Sequence, residues 1–100
     1  PEPLKNLIRQ TELRIRAEAL GINKVEAGGD WARIDFTAST GVDPLVLVQL
    51  VQNQPLDYAL ESGDRMKFRL KGDSADDRLN DLDRFLTLLE QHAASGMTEQ

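Results

Sequence analysis

The amino-acid sequence predicts a single small α+β domain of order α-β-β-α-β-β-α, in which antiparallel hairpins are covered by helices. Three observations predict this class. Residues 31–36 alternate between apolar and polar side chains, the period of a strand with one buried face. Glycine-containing turns at residues 28–30 and 61–64 each separate two strand-like segments. Three further segments place apolar residues at helical spacing.

The first element is an amphipathic helix from about Pro3 to Leu20. Its main apolar stripe has helical spacing and consists of Leu4, Leu7, Ile8, Thr11 and Ile15. A second stripe of Leu13, Ala17 and Leu20 lies roughly opposite. Two interpretations are open: the helix passes under the sheet and shifts its core face, or the second stripe meets neighbouring polypeptide. Gly21 follows at the position of a left-handed C-cap.

The first hairpin, from Ile22 to Thr37, leads into a second helix. Asp43 is placed to cap this helix, and a proline follows at the first helical position, so the helix covers about Pro44 to Gln52. Its sequence is apolar nearly all round, which predicts deep burial. Its valines leave a buried strand as the alternative.

The second hairpin covers Leu56 to Leu60 and Arg65 to Leu70. Its last strand directs three apolar side chains to one face and three basic ones to the other. The apolar set is Met66, Phe68 and Leu70, and the basic set is Arg65, Lys67 and Arg69.

A third helix follows Ser74, which with Asp77 resembles a capping box, and runs to about Ala93. Its apolar stripe predicts packing on the sheet, with a short coiled coil as the alternative. The stripe comprises Ala75, Leu79, Leu82, Leu86, Leu89 and Ala93, and Phe85 and Leu88 widen it. We expect residues 1–94 to form the domain and residues 95–100 a flexible tail.

Composition narrows the possible partners and compartments. The 100 residues carry a net charge of −5, which disfavours generic binding to nucleic acid or anionic membranes. The chain has no cysteine, which excludes disulfides and thiolate metal sites and fits a reducing compartment. No apolar run approaches the ~20 residues of a membrane span. We expect a cytoplasmic location.

The sequence contains no recognisable catalytic device. His92 is the only histidine, and the Gly28-Gly29 pair lacks the Lys-Ser/Thr of a phosphate-binding loop. The acidic residues that begin the third helix lack the glycine and terminal glutamate of a calcium loop and are interpreted as a solvated face. They are Asp73, Asp76, Asp77, Asp81 and Asp83. We therefore expect no active site, no metal site and no cofactor.

Surface residues supply the remaining candidates for function. Tryptophan and arginine are over-represented at binding hot spots, although a solvated sheet edge with an aromatic lid is the alternative. The candidate interaction surface comprises Trp31, Arg33, Arg65, Lys67 and Arg69, with Leu13 and Leu20 from the second stripe of the first helix.

Several short motifs occur in a specific order: Leu13 to Glu26, Ile34 to Phe36, Asp43-Pro44, Gln54-Pro55, Tyr58 to Leu60, Arg65 to Phe68, and a closing helix with Leu86 and Leu89. Together they resemble the C-terminal domain of bacterial transcription-repair coupling factor. That domain has further sequence upstream of the position of Pro1, and this chain does not begin with methionine. The resemblance therefore implies an N-terminally incomplete domain of a larger protein.

The resemblance also implies a function. The parent protein would recognise stalled RNA polymerase, translocate on double-stranded DNA with ATP, and recruit repair proteins through a UvrB-like module. Its C-terminal domain would clamp that module, hide the UvrA-binding surface and restrain translocation, without catalysis or nucleic-acid binding of its own. The alternative is a small-molecule-sensing module whose pocket lies between the sheet and the second helix.

Overall fold

The computed structural model describes the backbone of residues 2–98 and the side chains of residues 3–92. It confirms the predicted α+β class and element order. The elements are α1 (Glu2–Ala19), β1 (Ile22–Gly28), β2 (Trp31–Phe36), α2 (Pro44–Asn53), β3 (Tyr58–Ser62), β4 (Arg65–Arg69) and α3 (Ala75–Thr98).

The four strands form one antiparallel sheet of order β1-β2-β4-β3. The two hairpins meet at its centre, where Ile34 of β2 lies opposite Met66 of β4. The hairpin turn after β1 uses Gly29, whose φ of 59° lies in the left-handed region that glycine adopts without strain. The alternation predicted for β2 and β4 is confirmed, so the sheet has one covered face and one open face.

The core lies between the covered face of the sheet and the helices. Ile34, Met66, Leu86 and Leu89 are almost completely buried. The ring of Phe68 stacks on that of Phe85 in α3, with 4.6 Å between their centroids. Burying each such side chain stabilises the fold by ~1.5–3 kcal/mol relative to leaving it exposed. α3 therefore packs on the sheet as predicted, and the coiled-coil alternative is wrong.

Helix α1 uses its second stripe, and not its main one, as the core face. Leu13, Ala17 and Leu20 are buried, so the interpretation that they meet neighbouring polypeptide is wrong. The main stripe, whose members Leu4, Leu7, Ile8 and Ile15 are each 52–60% exposed, faces away from the domain. The reversal at Gly21, with φ 79°, ties the end of α1 to buried Ile22 and so turns the second stripe inward.

Segment α2 is a helix, and the strand alternative is wrong. Asp43 caps it, since its Oδ1 accepts a hydrogen bond from the Leu45 N–H at 3.0 Å, as predicted. Deep burial on all sides is wrong: Leu47 and Leu50 are buried, whereas Leu45 is exposed. The reason is position, because α2 contacts the edge strand β3 and so has only one side to bury.

Helix α3 begins as predicted, with Ser74 Oγ accepting from the Asp77 N–H at 3.0 Å. It continues to Thr98, beyond the end expected near Ala93. The flexible tail at residues 95–100 stays a prediction, since residues 99–100 and all side chains from residue 93 onward lie outside the described part.

The acidic residues around the start of α3 are not all solvated, contrary to prediction. Asp81 is buried, and its Oδ2 accepts from the Lys71 N–H at 2.8 Å while its Oδ1 pairs with Arg84. The buried carboxylate thus holds the loop before α3 against the helix. Sequence spacing alone did not reveal this partner, because Lys71 contributes only its backbone.

Candidate interaction surfaces

The open face of the sheet carries charged side chains that are mostly paired with one another. Arg33 Nε lies 2.6 Å from Glu61 Oε1, and Arg65 Nε lies 2.7 Å from Asp35 Oδ1. At the β1 edge Lys24 pairs with Glu26 at 3.3 Å. The hydrogen bond to Asp35 raises the pKa of the Arg65 guanidinium. Much of the positive charge on this face is therefore neutralised internally.

Two cations on the open face are an exception. Lys67 Nζ and Arg69 Cζ each lie 4.7 Å from the centroid of the Trp31 ring. Within the described side chains, neither makes an ion pair with a carboxylate. A cation over an indole face gains ~0.5–1 kcal/mol at an exposed site. We call Trp31, Lys67 and Arg69 the Trp31 cluster; it holds two positive charges in place without cancelling them.

A shallow hollow of about 340 Å³ adjoins the Trp31 cluster. Its lining comprises Glu26, Ala27, Gly28, Trp31, Arg33 and Lys67. Register explains how these side chains meet, because Gly28 pairs with Trp31 and leaves the indole uncovered on that side. The hollow gives an incoming side chain a surface that is part aromatic and part cationic.

The structure brings together most of the predicted surface residues. Trp31, Arg33, Arg65, Lys67 and Arg69 share the open face, as the alternation of β2 and β4 predicted. Leu13 and Leu20 are buried and therefore are not part of an exposed surface. Their inclusion is wrong because the packing of α1 on β1 and α3 buries them within this domain.

Sequence reasoning missed a second surface, the exposed main stripe of α1. We call Leu4, Leu7, Ile8 and Ile15 the α1 ridge; they share one face of the helix and all four are exposed. The helical period did reveal these residues as a set. It does not say which of the two opposite stripes the fold covers.

Ion pairs fix the polar side of α1 to α3. Arg16 reaches Glu90 at 2.8 Å and Asp83 at 2.7 Å, and Arg9 reaches Asp76 at 3.3 Å. The hydrogen bonds that Arg16 donates, first to Glu90 and then to Asp83, raise the pKa of its guanidinium, and the bond to Asp83 lowers the pKa of that carboxyl. These partly exposed pairs are interhelical contacts and form no catalytic arrangement.

A hollow of about 480 Å³ between α3 and the β3–β4 hairpin bears on the small-molecule alternative. Burial raises the pKa of the Tyr58 phenol in its wall, which keeps that group protonated. The Asp81 carboxylate, also in the lining, is already bonded to Lys71 and Arg84. The hollow is not the pocket that this alternative expects, because no residue of α2 lines it.

The described part of the chain shows neither a metal site nor a membrane span. Among the side chains of residues 3–92, no group of three or more His, Asp or Glu is placed to hold a metal ion. None of the helices within residues 2–98 combines the length and apolar character needed to cross a bilayer.

The chain shares sequence with known proteins along most of its length. No protein-family model matches the chain. The transcription-repair-coupling factor of Haemophilus influenzae is 33% identical over 94 residues, and that of Escherichia coli is 32% identical over 93 residues. The chain is similar to one region of transcription-repair-coupling factor. The matches cover 94% and 93% of this chain, which spans only 8% of the length of each relative.

This similarity supports a domain from the transcription-repair-coupling factor family, and the resemblance drawn from short motifs is confirmed at that level.

Proposed function

We propose that this chain is the C-terminal regulatory domain of a transcription-repair-coupling factor, and that it acts as a reversible clamp on the UvrB-like module of the same polypeptide. The observation that carries the proposal is the match of 94% of this chain to 8% of a relative's length, the size of one domain within a large protein. In the closed state the domain would cover the UvrA-binding surface and restrain the DNA translocase. Engagement of stalled RNA polymerase would release it.

The geometry of the open sheet face supports a reversible interface. Charged side chains that are already paired within the domain, such as Arg33 with Glu61, keep their ion pairs when the partner leaves. Separation at such a charged face also exposes little apolar surface, as in other reversible domain interfaces. The Trp31 cluster adds Trp31 and Arg69, residue types that are enriched at energetically important interface positions, with the unpaired Lys67 beside them. We assign the docking contact to this cluster, with Arg33 and Arg65 at its margin.

The test uses the full-length parent protein. Deleting residues 1–100 should raise both UvrA binding and DNA-stimulated ATPase activity, because a clamp stabilises the closed state by a coupling free energy of ~1–3 kcal/mol. Each ~1.4 kcal/mol removed shifts the population about tenfold. A deletion that leaves both activities at the wild-type level would falsify the clamp.

Charge reversal then tests the docking surface. Lys67→Glu combined with Arg69→Glu should raise UvrA binding and ATPase activity, as the deletion does, because it reverses the charge of the docking contact. Both side chains point away from buried Met66 and Phe68, so the fold should be retained. The matched control is Lys5→Glu with Lys71→Glu, which changes net charge equally at exposed positions outside the open face. If the deletion activates and the cluster reversal behaves like the control, docking occurs elsewhere, with the α1 ridge as the next surface to mutate.

A further inference from the structure

A groove between α1, β1 and α3 lies on the helical side of the sheet, away from the Trp31 cluster. Its volume is about 520 Å³. Its larger apolar lining residues are Leu13, Ile22, Val25, Leu79 and Leu82, with Ala17, Ala27 and Ala75 between them. Val25 pairs with Ile34 and so belongs to the covered face, yet it is 40% exposed. The helices therefore stop short of covering this end of the sheet.

Strand β1 forms one wall of the groove and is an edge strand. It pairs only with β2, so its other side presents backbone N–H and C=O groups with no strand opposite them in the described sheet. Each residue from Asn23 to Gly28 is exposed. An exposed edge of this kind accepts an additional strand, with backbone hydrogen bonds supplying affinity and adjacent pockets supplying specificity.

The charges at the groove indicate what such a strand carries. Arg14 and Arg78 line the groove, and neither makes an ion pair among the described side chains. The Nε of Arg78 is buried without a hydrogen-bond partner. Leaving a buried donor unsatisfied is unfavourable, and more so for a charged group. Five other arginines of the domain do reach carboxylates: Arg9, Arg16, Arg33, Arg65 and Arg84.

We propose that this groove binds an extended polypeptide segment whose side chains at every second position face the groove and comprise aliphatic residues with one carboxylate among them. The segment adds to the free edge of β1, its aliphatic side chains cover Val25 and the apolar lining, and a carboxylate accepts hydrogen bonds from Arg78 and Arg14. Glu18 and Lys24 also line the groove, and Lys24 already forms an ion pair with Glu26. This surface is additional to the clamp contact of the open face and does not depend on it.

A protein segment fits the groove better than nucleic acid does. Phosphates also satisfy arginines, but the lining contains no aromatic ring on which a base would stack. The net charge of −5 further opposes a polyanion, whereas a short segment with one or two carboxylates meets the two arginines locally.

The binding test uses fluorescence polarisation of the chain with short labelled peptides. The valine-glutamate peptide carries valine, glutamate and valine at alternate positions with threonine between them, so that both residue types face the groove. It should bind at least tenfold tighter than a peptide with lysine in place of the glutamate, and than one with threonine in place of the valines. The first control removes the carboxylate and the second removes the apolar contact. Equal binding of all three, or no binding, overturns the proposal. Preferential binding of a labelled single-stranded DNA overturns it in favour of phosphate recognition.

Two variants and one spectroscopic measurement locate the contact. Arg14→Gln with Arg78→Gln should weaken the valine-glutamate peptide at least tenfold while the melting temperature stays within a few degrees. Lys67→Gln with Arg69→Gln, on the open face, should leave its affinity unchanged. Bound peptide should also slow hydrogen exchange of β1 amides. Loss of affinity only in the open-face variant, or unchanged exchange in β1, contradicts docking at this edge.

Discussion

Helices α1 and α3 are both amphipathic, yet they differ in what covers their main apolar stripes. In α3 the stripe lies on the sheet, with Leu86 and Leu89 almost completely buried. In α1 the stripe is the exposed ridge, and only the smaller opposite stripe reaches the core. The difference arises because α3 covers the centre of the sheet, which leaves α1 to pack against α3 and the start of β1. A periodic stripe thus identifies a surface suited to burial, and the neighbouring elements decide whether it is buried.

The polar contacts of α1 contribute less to its position than its buried side chains do. Arg16 and Arg9 bridge to carboxylates of α3, but their side chains are about 30% exposed, and such pairs contribute ~0–1 kcal/mol each. Burial of Leu13, Ala17 and Leu20 is the larger contribution to the position of α1.

The largest expected effect separates the two stripes. Leu86→Ala should lower the free energy of unfolding by about 3–5 kcal/mol, because it leaves a cavity beneath the sheet where the side chain is fully buried. Leu7→Ala, on the α1 ridge, is the matched control and should change it by less than about 0.5 kcal/mol. Urea denaturation measures both. Similar losses in the two variants would show that the ridge is packed within this domain.

The second prediction concerns the reversal that turns α1 toward the core. Gly21→Val should destabilise by about 2–3 kcal/mol, since φ there is 79° and an added Cβ would overlap Thr40. Gly41→Val is the control, because nothing lies within 4 Å of a Cβ at that position. Thermal melts of the two variants should therefore separate clearly. A Gly21 variant as stable as the control would rule out the left-handed cap.

A third, smaller effect tests the ion pairs between the helices. Asp83→Asn should cost up to about 1 kcal/mol at neutral pH, because its partner Arg16 loses one carboxylate and the pair is partly exposed. Arg16 lowers the folded-state pKa of Asp83 below its ordinary 3.8, so its contribution is present above that value and is lost as the pH falls through the folded pKa.

Denaturation at several pH values measures this contribution. The difference between wild type and Asp83→Asn should shrink below about pH 4. Asp73→Asn, at an exposed residue without an ion pair among the described side chains, should show no such dependence. A difference that grows on acidification has the wrong sign for this pair.

The smallest expected effect concerns the exposed α1 ridge. Ile8→Ser and Ile15→Ser should each leave the free energy of unfolding within about 0.5 kcal/mol, because isoleucine and serine have similar helix propensities and both positions are exposed. Binding of a fluorescent hydrophobic dye should nevertheless fall, since the ridge loses apolar area. A stability loss beyond 1 kcal/mol, roughly the size expected for a partly buried site, would contradict this assignment.

Local signals determined the elements and most of their boundaries. The alternation in residues 31–36, the glycine turns and the caps at Asp43 and Ser74 each act over a few residues, so the sequence alone predicted the strands, the turns and the helix starts. The same alternation placed Trp31 and the basic side chains of β4 on one face. This part of the candidate surface could be predicted because side chains in a strand alternate whatever the strand pairs with.

Tertiary structure decided what depends on partners distant in sequence. The strand order brought Trp31 opposite Arg69, the packing of α3 left the α1 ridge exposed, and the backbone of Lys71 made burial of Asp81 possible. The groove at β1 likewise exists because two helices meet beside an edge strand. Each outcome depends on which side chains occupy the limited area between helices and sheet, and on which polar groups find hydrogen-bond partners. No single segment contains the information that decides this.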